Sequence, residues 1–70
     1  MIKCNIRVLM AEHRIDDIAE LMEKSGLSRN SINKLYKEIN METTKLETLL
    51  KLCDTFECKL SDLIEYTPDS

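Results

Sequence analysis

Glycine and proline each occur once in this chain of 70 residues, and only three residues are aromatic. So little glycine and proline, together with 33% charged residues, argues against a loop-rich disulfide scaffold. With aromatics so scarce, aliphatic side chains must fill the core. No apolar run approaches the ~18 residues of a membrane span. The opening MIKCNIRVLM also lacks a signal-peptide core followed by a small-residue cleavage site. Cysteine is sparse and odd in number, at Cys4, Cys53 and Cys58. These read as reduced thiols in a cytoplasmic protein. Seventy residues (1–70) fit one domain, which buries only about 60% of its unfolded surface, so helical packing or self-association is expected to support it.

What is present is helical periodicity. Ile2, Cys4 and Ile6 alternate, as in a short extended segment. Asn5 is placed to cap a first helix over about 6–13, with Ile6, Leu9 and Met10 inward. Arg14–Asp16 turn the chain, with Ile15 inward. Asp17 and Glu20 then have capping-box spacing at the start of helix two. Ile18, Leu21 and Met22 recur at helical spacing, and Gly26 is where that helix stops in a left-handed turn. Leu27 is an apolar plug, Ser28 caps helix three, and Ile32, Leu35 and Tyr36 give that helix, which runs to about Glu38, its inner face. Residues 17–38 are therefore a helix–turn–helix, a unit that can present its second helix to a groove of DNA.

Asn40–Thr43 reads as a polar connection. Thr44 with Glu47 forms a second capping box before helix four, whose stripe is Leu46, Leu49, Leu50, Cys53 and Phe56. A short fifth helix over about 59–65 buries Leu60, Leu63 and Ile64, and Tyr66–Ser70 is expected to be an extended or frayed tail.

Net charge is −3, the wrong sign for a generic coat of nucleic acid. Its distribution is uneven. Residues 28–37 carry Arg29, Lys34 and Lys37 and no acid, and Lys3 and Arg7 make a second basic stretch. Arg29, Asn33 and Lys37, four apart, form one exposed ridge of helix three, flanked by Asn30 and Lys34 and by Ser28 at its start. Arg pairs bidentately with guanine and Asn with adenine, so Arg29, Asn30 and Asn33 have the chemistry of base readout. Ser28 and the first amides of the helix suit a phosphate, and Lys34 and Lys37 suit backbone contacts. Taken alone, such a face is more often simply solvated.

Other chemistry finds less support. His13 and the cysteines lack the spacing of a structural zinc site, so no metal or other cofactor is expected. Cys53 sits on an apolar stripe and Cys58 abuts the fifth helix, as small buried hydrophobes do. Cys4, near a terminus, is the candidate for an exposed thiol, though nothing marks it as activated. With one histidine, no phosphate-binding glycine loop and no nucleophile elbow, an enzyme is not expected. Asp16, Asp17, Glu20 and Glu23 cluster at a helix start, where capping and the helix dipole account for them.

The order of these motifs resembles the Cro/C1-type helix–turn–helix family, also called the XRE family. IRVLMAE in helix one, SGLSRNSINKLYKE across the turn and helix three, and LETLLKLCDTFECKLSDLIEY in the closing helices carry the resemblance. It implies an all-α, five-helix, lambda repressor-like fold and a bacterial or phage regulator that binds double-stranded DNA in the major groove, usually as a homodimer on a palindromic operator. Two positions depart from the family pattern: Ile18 stands where many members have glutamine, and Met22 where a small alanine is usual. The simplest function is repression by occupying an operator, with no small-molecule effector evident. The leftover apolar residues put self-association at Leu63–Tyr66, with Ile2–Cys4 beside it. The rival readings are a protein-interaction module on the same fold, such as an antitoxin or adaptor, and a small metal or redox sensor.

Overall fold

The computed structural model describes residues 1–68, and the last two residues of the expected tail lie outside them. Five α-helices run in the order α1 (Ile6–Glu12), α2 (Ile18–Ser25), α3 (Arg29–Tyr36), α4 (Leu46–Phe56) and α5 (Leu60–Leu63). Two strands, β1 (Ile2–Cys4) and β2 (Ile64–Tyr66), pair antiparallel and join the ends of the chain, with Ile2 opposite Tyr66 and Cys4 opposite Ile64. Tyr66 thus takes the extended alternative of the expected extended or frayed tail, as the strand residue opposite Ile2. Beyond the ribbon, Thr67 N donates to Met1 O at 2.9 Å and the terminal ammonium of Met1 donates to Thr67 O at 2.7 Å. No described helix is long and apolar enough to cross a membrane.

The core is aliphatic around one aromatic ring, Phe56, as a sequence with three aromatics requires. Leu21, Ile32, Leu35, Leu52 and Leu63 are completely buried, so one residue or more from each of α2, α3, α4 and α5 meets in a single cluster. α1 adds Ile6, Leu9 and Met10, and the ring of His13 lies 5.4 Å from that of Phe56. Truncating any one of these leucines to alanine would cost about 2–5 kcal/mol.

How the helices end explains much of the geometry. α2 stops at Gly26 (φ 75°), whose N–H donates to Met22 O at 2.8 Å, the left-handed stop expected of the lone glycine. Three other helices use the same backbone state without glycine, at Arg14, Glu38 and Glu57 (φ 56°, 54° and 51°). Each forms a Schellman turn, in which the next residue's N–H reaches back five residues: Ile15 to Met10 (2.8 Å), Ile39 to Lys34 (2.8 Å) and Cys58 to Cys53 (3.0 Å). α3 therefore ends at Tyr36, two residues short of the expected Glu38.

Several local expectations give way to tertiary contacts. Asn5 makes no side-chain cap for α1; its N–H donates to Leu63 O (2.7 Å) and its Nδ2 to Asp62 O (3.3 Å), clasping α5. The stretch 40–43 is not simply a polar connection, because Met41 begins a one-turn 3-10 helix (Met41–Thr43) and is buried. Thr44 forms no capping box: α4 starts from Lys45, and the Thr44 hydroxyl is buried without a protein partner. The buried stripe of α4 is Leu49, Leu52 and Phe56, with Cys53 half-buried, whereas Leu46 and Leu50 are 58% and 48% exposed. α5 is a single turn, and Ile64 passes into β2. Leu63 is fully buried and so cannot belong to an outer face for self-association. Cys4 is buried as well, and that burial raises its thiol pKa, with the backbone N–H of Ile6 opposing and Glu38 adding to the shift.

Candidate nucleic-acid interface

The α2–α3 corner is built from four consecutive residues, each with a separate job. The Ser25 hydroxyl donates to Leu21 O at 2.7 Å and accepts from Leu27 N at 3.2 Å, so one side chain ties the end of α2 to the connecting residue. Gly26 supplies the left-handed backbone, and Leu27 is buried in the core. Ser28 lies in the extended region and its Oγ accepts from Ser31 N at 3.2 Å, capping α3. At the other end of the motif Asp17 Oδ1 accepts from Glu20 N at 2.8 Å and caps α2.

With Ile32 and Leu35 fully buried, the opposite side of α3 is fixed toward solvent. Arg29, Asn30 and Lys37 are exposed, and Asn33 and Lys34 are half-exposed. Five of the six residues singled out from sequence thus share an accessible helix face that bears no carboxylate. The sixth, Ser28, is exposed but its hydroxyl is already engaged with the backbone N–H and the Oγ (3.0 Å) of Ser31. Tyr36 turns to the inner side, where the Arg7 guanidinium of α1 lies 4.3 Å from its ring centroid. That contact ties α1 to the last turn of α3 and occupies one of the two basic residues of the N-terminal stretch.

Beside α3 the structure adds a feature that the sequence does not mark. A cleft of about 330 Å³ opens between α3 and the start of α4, lined by Ser31, Lys34, Thr43, Thr48, Lys45 and Lys51 among others. Lys51 pairs with Glu47 at 3.5 Å across one exposed turn, an attraction weakened by solvent. Lys45 and Lys51 escape a reading by local charge because Glu42 and Glu47 interleave with them; only folding sets them beside Lys34.

A family model describing the Cro/C1-type helix–turn–helix DNA-binding domain matches residues 5–69. The chain belongs to that family. No curated protein and no solved structure gives a significant match. In this Cro/C1-type chain the two departures in α2 have a packing explanation: Ile18 and Met22 are half-buried and lie against the core. An isoleucine side chain offers no hydrogen bond to a phosphate, so any backbone contact at the start of α2 must come from elsewhere.

Proposed function

We propose that this protein is a sequence-specific regulator of transcription, and that α3 is its recognition helix in the major groove of double-stranded DNA. In this reading Arg29, Asn30 and Asn33 read base edges, while Lys34 and Lys37 hold backbone phosphates. Ser28 acts chiefly as the cap that sets the start of α3, and Lys45 and Lys51 extend the phosphate track. The observation that carries the proposal is the acid-free ridge of Arg29, Asn33 and Lys37 on a helix anchored by Ile32 and Leu35, in a chain of a DNA-binding family. Arg and Asn supply the bidentate donor and acceptor pairs that distinguish guanine and adenine.

The simplest mode of action is repression. Two copies on a palindrome would place their recognition helices about one DNA turn apart, ~34–36 Å, and exclude polymerase from the occupied site. The acidic remainder of the chain limits indiscriminate binding, since net charge −3 opposes long-range attraction to DNA.

Selection of bound sequences from a random DNA pool, followed by titration at several salt concentrations, tests this directly. A defined motif should emerge, affinity should fall steeply with salt, and Arg29→Ala with Asn33→Ala should erase the preference. If no sequence is enriched at low salt, the protein-interaction reading, an antitoxin or adaptor on the same fold, takes its place.

A further inference from the structure

We propose that Cys53 and Cys58 form an internal dithiol site that closes to a disulfide on exposure to a small-molecule disulfide such as oxidised glutathione. The Schellman turn at the end of α4 brings the pair together. Glu57 takes the left-handed state, and Cys58 N donates to Cys53 O at 3.0 Å. Glu57 N donates to Asp54 O at 3.4 Å, completing the motif. Side chains at these two positions of a Schellman turn characteristically touch, and here both are thiols, close enough that Cys53 contributes to raising the Cys58 thiol.

A disulfide requires Cα atoms about 4.4–6.8 Å apart, and a direct hydrogen bond between the two backbones holds them within that span. Both side chains are half-buried against the core, which limits their freedom to separate. Cys58 also lines an open groove of about 670 Å³, together with Val8, Glu12, His13, Glu57 and Asp62, so a reagent can approach it from solvent. Cys4, by contrast, is buried at the β-ribbon and lies outside this groove.

The reaction is two successive exchanges. The Cys58 thiolate attacks one sulfur of the small-molecule disulfide, forming a mixed disulfide and releasing one small thiol. Cys53 then attacks the Cys58 sulfur, the Cys53–Cys58 bond forms, and the second small thiol leaves. The protein loses two protons and two electrons, and the small disulfide gains both. Burial, the neighbouring Cys53 of α4, Asp62 of α5 and Glu12 of α1 push the Cys58 thiol up to about 11, with His13 and Glu57 also bordering the groove. The first exchange is therefore slow at neutral pH and accelerates about tenfold per pH unit below that value, because only the thiolate reacts.

Incubation of the native protein with oxidised glutathione, followed by tryptic mass mapping, tests the site. Both cysteines fall in one tryptic peptide, Leu52–Lys59, and Cys4 in another. The expected product is a monomer whose 52–59 peptide is lighter by two hydrogen atoms, with Cys4 still open to alkylation after unfolding. Once the Cys58 adduct has formed, its closure by Cys53 should be about tenfold faster in native protein than in denaturant, where the turn no longer holds the pair in position. Formation of the adduct itself is slower in native protein, because folding raises the Cys58 thiol. Cys53→Ser should stop at a glutathione adduct on Cys58. A stable double adduct on the wild-type peptide, a bond to Cys4, or equal rates of closure of the Cys58 adduct in native and denatured protein would each overturn the proposal.

Discussion

The guanidinium of Arg7 lies 4.3 Å from the ring centroid of Tyr36, so a residue of α1 steadies the last turn of α3. A cation over an aromatic face at an accessible site contributes about 0.5–1 kcal/mol. Arg7→Ala and Tyr36→Leu should each lower stability, and the double variant should recover a coupling of that size in a denaturation cycle. Additivity of the two losses would show that the contact contributes nothing.

The left-handed helix ends give opposite outcomes at different positions. Gly26→Ala introduces a Cβ that meets nothing within 4 Å, so its cost is the strain of a φ of 75°, about 1–2 kcal/mol, less about 0.5–1 kcal/mol recovered from the stiffer unfolded chain. At Glu38 and Glu57 the natural residue already carries that penalty. Glycine there relieves it, at an entropic cost of about 0.5–1 kcal/mol in the unfolded chain, leaving a net gain of up to about 1 kcal/mol. Urea midpoints should therefore fall for Gly26→Ala and rise for Glu38→Gly. A lower midpoint for Glu38→Gly would mean that its side chain contributes contacts outweighing the strain.

These same ends separate what sequence conveys from what it does not. Gly26, Asp17 and Ser28 were legible because their signals are local: a left-handed stop and two side-chain caps act within three or four residues. Ser25 was less so, since its bridging role depends on the turn that it helps to close. In α4, apolar residues at 46, 49, 50, 52, 53 and 56 cover more of the helix surface than one neighbour can bury. The packed neighbours, α2 and α5 among them, select Leu49, Leu52 and Phe56, leaving Leu46 and Leu50 outside. Asn5 had the right chemistry for a cap but found a better partner in α5 at Asp62, 57 residues away in sequence but adjacent in space through the β-ribbon. The α3 face of the candidate site could be read from helical spacing; Lys45 and Lys51 could not, because the chain connection between α3 and α4 brings them there.

Substitutions on the proposed interface should divide into two classes. Arg29→Ala and Asn33→Ala are expected to cost about 1–3 kcal/mol of discrimination at particular base pairs. Lys37→Ala and Lys45→Ala should weaken all sequences alike and each reduce the salt slope by about one. Binding isotherms at four salt concentrations, on selected and scrambled DNA, distinguish the classes. If Lys45→Ala changes neither affinity nor slope, the cleft beside α3 lies off the DNA.

Alkaline pH should destabilise the fold through its thiols. Burial raises the Cys4 pKa above the ordinary 9.0, and Cys58 is raised to about 11. Above pH 9 the unfolded chain loses these protons first, so it binds fewer than the native state. Stability must then fall as pH rises, from about 9 to beyond the native values. Denaturation midpoints between pH 8 and 11 should decline less steeply for Cys58→Ser than for wild type. An unchanged slope would assign the decline to other groups.

The proposed homodimer makes a prediction about the paired ends of the chain. With Leu63 buried, the remaining apolar surface of this region is Tyr66, 68% exposed, beside Met1 and Ile2 in a hollow of about 340 Å³ that also includes Met41. We place the self-association surface there, since an outer edge of a two-stranded ribbon can pair with a second copy. Tyr66→Asp puts a charge at the centre of that surface without touching α3. Sedimentation should show dimer converting to monomer, and operator affinity should fall because the two half-sites are no longer bound together. Leu50→Asp on α4 is the control: if it dissociates the dimer and Tyr66→Asp does not, the two-fold axis runs past the exposed leucines of α4 instead.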